Sequence, residues 1–112
     1  MAQKQSREEV MKATELFQLV ERWANNRDLL HEENVPKQMM KVIEELGELN
    51  AAILKDDDNE IIDGIGDVFV TVIILARQLN LNPEACLRIA YKEISERKGK
   101  TVDGVFIKEK NL

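Results

Sequence analysis

Glu60-Ile61-Ile62-Asp63-Gly64-Ile65-Gly66-Asp67-Val68-Phe69-Val70-Thr71-Val72-Ile73-Ile74-Leu75-Ala76 is the stretch that decides how this chain folds. Its first half places Glu60, Asp63 and Asp67 in one narrow sector of a helix, and whole turns carry that sector on to Val70, Thr71 and Ile74. Acid therefore runs straight into an apolar face. From Val68 to Ala76 the helix is apolar almost all round, yet the run is too short to span a bilayer, so it calls for burial on most sides. One small helical domain rarely covers a helix so completely, and the pattern predicts a homo-oligomer with this helix near the interface.

The flanking segments supply the rest of the fold. Asn80-Leu81-Asn82-Pro83-Glu84 gives a stop, an N-cap and a proline in the first turn of the next helix. Upstream, Pro36 fits the start of a helix that lasts until Asp56-Asp57-Asp58-Asn59 breaks the apolar pattern. Nearer the N-terminus, Ser6 and Glu9 make a capping box, followed at helical spacing by Val10, Leu16, Phe17, Val20 and Trp23-Ala24. After the fourth helix, with Gly99 expected at its C-terminal end, Thr101-Val102 and Val105-Phe106-Ile107 form two short extended pieces around Asp103-Gly104. Short loops make neighbouring helices antiparallel. The predicted fold is all-α: one domain forming a four-helix up-and-down-like bundle with helices over 6–28, 36–55, 60–79 and 83–98, and a tail over 99–112 that carries an extended hairpin.

Composition narrows the function classes. The chain has 112 residues, 44% hydrophobic and 33% charged, with 4% aromatic, which suits a Leu/Ile/Val-packed helical globule. The net charge of -5 argues against general nucleic-acid binding, although Arg97-Lys98-Gly99-Lys100 is locally basic and would suit a metal-bridged polyphosphate. A single cysteine, Cys86, leaves no internal disulfide, and it reads as buried and inert. No apolar leader or membrane-spanning run is present, so the expected compartment is the cytoplasm.

Two carboxylate clusters carry the chemistry. On the second helix Met39, Val42, Leu46, Leu49 and Ile53 read as the core stripe, with Lys41, Glu45, Glu48 and Ala52 along its flank and Glu44 nearer solvent. Glu45 and Glu48 lie three apart, and Asp63 and Asp67 four apart, so each pair leaves one side of its helix. Oxygen-only ligands of this kind suit Mg²⁺ or Mn²⁺. Taken alone, Glu44, Glu45 and Glu48 read first as a solvated face with Lys41 as an ion-pair partner. Asp63 and Asp67 fit that reading less well, because aspartate is a poor helix former and charge on an apolar helix needs a cation or hydrogen-bond partners. Gly64 and Gly66 fit either a close approach to the backbone or close helix packing. A di-iron bundle would need Glu-x-x-His motifs, and His31 belongs to none.

The segments Trp23-Ala24, Lys41-Val42-Ile43-Glu44-Glu45-Leu46-Gly47-Glu48-Leu49, Asp63-Gly64-Ile65-Gly66-Asp67-Val68, and Ala90-Tyr91-Lys92-Glu93-Ile94 through Arg97-Lys98-Gly99-Lys100 give the chain a resemblance. It resembles the MazG-like all-α nucleoside triphosphate pyrophosphohydrolases, particularly the small single-domain forms of phages and bacteria. The resemblance implies Mg²⁺ (or Mn²⁺) held by an ExxE and an ExxD motif, and cleavage of an NTP or dNTP between the α- and β-phosphates to the monophosphate and pyrophosphate. Glu45 and Glu48 match ExxE. In the second motif Gly64 stands where glutamate is expected, and Asp63 can take its role with Asp67; the literal Glu60-Ile61-Ile62-Asp63 lies one turn earlier and leaves Glu60 as an outer member. The metal set is then Glu45, Glu48, Asp63 and Asp67, with Glu44 or Glu48 positioning the water. Lys41, Arg97, Lys98 and Lys100 are the expected phosphate contacts, and Trp23 a surface for the base; each has an ordinary structural explanation as well. The expected partners are a nucleoside triphosphate and a homodimer or homotetramer, with neither nucleic acid nor membrane. The competing reading is a catalytically inactive nucleotide-binding or regulatory bundle, for which the Gly64 departure leaves room.

Overall fold

The computed structural model describes residues 11–112; the expected capping box at Ser6 and Glu9, and Val10, lie outside them. Four helices follow one another: α1 (Ala13–Asn26), α2 (Val35–Lys55), α3 (Asp58–Gln78) and α4 (Pro83–Ser95). A 3-10 turn, Glu32–Asn34, leads into α2, and the strands β1 (Gly99–Val102) and β2 (Val105–Lys108) close the chain with a final 3-10 turn, Glu109–Asn111.

The helix boundaries follow local chemistry. Asp56 takes the left-handed conformation (φ 57°) that ends α2, and the Asp57 side chain accepts from the Glu60 backbone N–H at 3.1 Å to start α3. Two residues thus reverse the chain. Asn80, also left-handed (φ 59°), ends α3, and Asn82 caps α4 by accepting from the backbone N–H groups of Glu84 and Ala85. The fourth helix stops at Ser95, three residues short of the expected 98, so Gly99 is not a helix cap but the first residue of β1. The strand explains it: a Cβ there would lie 2.1 Å from the Ile107 carbonyl oxygen. Asp103 and Gly104 both have positive φ, the two-residue turn that matches strand twist, and they bring Val102 opposite Val105.

The tightest pairing is between α2 and α3. They run antiparallel, since Gln38 reaches the Thr71 carbonyl, Leu49 packs on Gly64, and Lys55 pairs with Glu60. Helix α1 meets α3 through the Arg77–Glu21 ion pair at 2.7 Å, and its Ala24 is completely buried. The buried line of α2 runs through Val42, Glu45 and Ala52, not through the expected Met39, Leu46 and Ile53, which stay exposed. The helix is rotated from the hydropathy-based orientation, and Glu45 moves from the flank into the core.

Much apolar surface remains uncovered. On α3, Thr71, Ile73 and Ile74 are buried, whereas Ile62, Ile65, Phe69 and Val72 form an exposed stripe at helical spacing. Along α4 only Pro83 is buried; Leu87, Tyr91 and Ile94 are exposed, as is Cys86, contrary to expectation. The radius of gyration is 16.8 Å, against about 13 Å for a compact domain of this length. No helix among the described residues is long and apolar enough to cross a membrane.

Candidate metal and phosphate site

The antiparallel α2–α3 pair gathers the carboxylates. A cavity of about 310 Å³ between the two helices is lined by Glu48, Lys55, Glu60, Asp63 and Asp67, with Ala51 and Gly64 as its small residues. Gly64 is where the helices come closest, for a Cβ on it would lie 3.1 Å from Leu49 Cδ1 and 3.3 Å from Leu49 Cα. The glutamate expected at position 64 would point into that contact; Glu60 and Asp63 instead bring their carboxylates to the same cavity. Gly66 meets nothing within 4 Å, so packing accounts for only one of the two glycines.

Glu45 and Glu44 join the site through Glu48. One carboxylate oxygen from each of the three lies within 4.8 Å of the others. Like charges held that close resist ionisation, and the charge of Glu45 in particular holds the Glu48 carboxyl above its ordinary pKa. Glu45 is 7% exposed, and its Oε2 is buried without a hydrogen-bond partner among the described residues. Its Oε1 lies 3.4 Å from Lys41 Nζ, which also reaches Glu44 at 3.3 Å; Glu44 and then Glu45 raise the lysine's pKa. One ammonium leaves the three carboxylates short of positive charge. A hard divalent cation fits this donor set, because it would meet the orphaned Glu45 oxygen and relieve the repulsion at Glu48.

The other expected residues divide. Trp23 lines an apolar groove of about 460 Å³ with Leu16, Leu19, Val20 and Val70, and Asp67 stands at its edge, so groove and acidic cavity share a residue. The Arg27 guanidinium lies over the indole, 4.2 Å from the ring centroid. Arg97, Lys98 and Lys100 do not line the acidic cavity. Arg97 pairs with Glu93 at 3.0 Å, and Lys100 is in β1. Sequence reasoning does not single out Lys55, although it follows Glu48 by seven residues, two turns along the same face; its Nζ lies 3.9 Å from Glu60.

These features define a class: a helical domain in which Glu48, one of three clustered carboxylates on one helix, faces three acids on the next across a cavity. Residues 34–101 match the model of the MazG nucleotide pyrophosphohydrolase domain, and the chain belongs to that family. Over 68 residues it is 38% identical to an uncharacterized 18.2 kDa protein in the rep-hol intergenic region of Haemophilus phage HP1, a match covering 61% of this chain and 42% of that protein. The chain thus matches less than half the length of this relative. No solved structure matches it.

Proposed function

We propose that the protein is a Mg²⁺-dependent nucleoside triphosphate pyrophosphohydrolase, acting on an NTP or dNTP to give the monophosphate and pyrophosphate. The reading is carried by one observation: Glu48, Glu60, Asp63 and Asp67 share a cavity, and Glu48 is tied to the buried, under-neutralised Glu45. Glu45, Glu48, Asp63 and Asp67 are the residues that would hold the cation, with Glu60 at the edge. The cation supplies charge neutralisation for the polyphosphate and acidifies water. Glu48, or Glu44, which is exposed and paired to Lys41, positions the water and receives its proton. The water oxygen bonds to the phosphorus on one side of the α,β bridge, the P–O bond from that phosphorus to the bridging oxygen breaks, and the electron pair leaves on the other half, giving the monophosphate and pyrophosphate.

Lys41 and Lys55 lie beside these carboxylates, and the groove at Trp23 adjoins the acidic cavity through Asp67. Arg97, Lys98 and Lys100 are proposed to meet phosphate from a neighbouring copy, in a homodimer or homotetramer that covers the stripe on α3. The test is pyrophosphate release across a panel of canonical and modified nucleotides with Mg²⁺. Turnover of at least one nucleotide is expected, with loss in Asp67→Asn and Glu48→Gln while far-UV circular dichroism is unchanged. Nucleotide affinity without product would replace the enzyme by an inactive binding module.

A further inference from the structure

A separate cavity of about 410 Å³ lies between the loop after α1, the first turns of α2 and the end of α3, walled by Leu29, Asn34, Lys37, Gln38, Lys41 and Gln78. Apart from Leu29, every one of these side chains is polar. Gln78 is only 3% exposed; its Nε2 donates to the Leu29 carbonyl at 2.9 Å, and its Oε1 is buried with no partner among the described residues. Turning the amide over would set two oxygens against each other, so the unmet group on this wall is an acceptor. The neighbours do not meet it. Asn34 Nδ2 points to the same Leu29 carbonyl at 3.4 Å, and Gln38 Nε2 is committed to the Thr71 carbonyl at 3.0 Å. Lys37, exposed at the rim, has no carboxylate within ion-pair distance among the described residues, while Lys41 is held by Glu44 and Glu45. A buried acceptor and a free donor on one cavity, among largely apolar side-chain surface, call for a ligand bearing both kinds of group. A bare anion would leave Gln78 unmet.

The cavity is aligned with the acidic site. Gln38, Lys41, Glu45 and Glu48 follow one another at one-turn intervals, and seven residues of helix from Glu45 back to Gln38 amount to about 10 Å. That is comparable with the span from a 5′-phosphate to the far edge of its base. The groove at Trp23 offers only Asp67 and the indole N–H as polar side-chain groups among aliphatic ones, and the Arg27 guanidinium already lies over the ring. We infer that the Leu29–Gln38–Gln78 cavity receives the substrate's nucleobase, with Gln78 Oε1 accepting from a ring or exocyclic N–H and Lys37 donating to an acceptor on the same base. This rests on the nucleotide reading above and adds which surface reads the base.

The test is calorimetric titration, with Mg²⁺ present, of α,β-methylene nucleoside triphosphates and of the abasic 2-deoxyribose 5-triphosphate into the wild type, Gln78→Met, Lys37→Ala and Trp23→Phe. Gln78→Met is expected to weaken the nucleotide whose base fits best by about tenfold, the scale of one lost hydrogen bond, with affinity for the abasic triphosphate unchanged. Lys37→Ala changes an exposed residue and should shift affinity the same way, so it decides the matter if Gln78→Met does not fold. Equal losses for both ligands, no loss for either, or a base-selective loss confined to Trp23→Phe would each overturn the assignment. If neither ligand binds the wild type, the nucleotide reading fails and takes this inference with it; if both bind without a base-dependent difference, only the inference fails.

Discussion

Leu49 Cδ1 stands 3.1 Å from where a Cβ on Gly64 would go, and nothing stands within 4 Å of one on Gly66. Gly64→Ala is therefore expected to destabilise the fold by about 1–3 kcal/mol through overpacking. Gly66→Ala should stabilise it by about 0.5–1 kcal/mol, the helix propensity of alanine over glycine, and urea unfolding of both variants checks the contrast. The two glycines look alike in sequence because what separates them is on another helix. Glu48 makes a second prediction at this scale. Its pKa is raised, so in the window from the ordinary carboxylate value up to the raised one the folded chain binds more protons than the unfolded chain, and stability falls as pH rises. Thermal melts of metal-free protein at pH values rising from the ordinary carboxylate range should show this trend relative to Glu48→Gln, whose uncharged side chain removes it. Divalent cation should flatten the wild-type dependence as well.

At the scale of elements, the features governed by neighbours along the chain are legible in the sequence alone. The Asn82-Pro83 start, the Asp-Gly hairpin turn and the acidic break between α2 and α3 all appear where composition places them, because each depends on a few consecutive residues. Asn82→Ala removes two hydrogen bonds from the first turn of α4 and is expected to cost about 1 kcal/mol, read as an earlier urea midpoint with an unchanged slope. The rotation of α2 is not legible in this way. Hydropathy puts Met39, Leu46 and Ile53 inside with Val42, but Glu45 and Ala52 are buried beside Val42 instead, on the helix whose closest approach to α3 is Leu49 against Gly64. The end of α4 departs from expectation for a related reason: Gly99 serves a strand pairing with Ile107 and Lys108 rather than a helix cap. The gathering of Glu48, Asp63 and Asp67 on one cavity follows from helical spacing and antiparallel order; the polar cavity at Gln78 brings together three elements, and no local pattern marks it.

For the whole molecule, the exposed stripe Ile62, Ile65, Phe69 and Val72, together with the open face of α4, is more apolar surface than a solitary domain of this size ordinarily presents to water. Sedimentation velocity at micromolar concentration is expected to give a dimer or larger, and Phe69→Lys on the stripe should shift the population toward monomer; a wild-type monomer would contradict this. Helix α3 carries that stripe on the same rod as Asp63 and Asp67, and a rod cannot turn one side without turning the other. A second copy seated on Phe69 would also set the tilt of the two aspartates, so under the proposed oligomer and activity dilution is expected to lower turnover per chain and crowding to restore it.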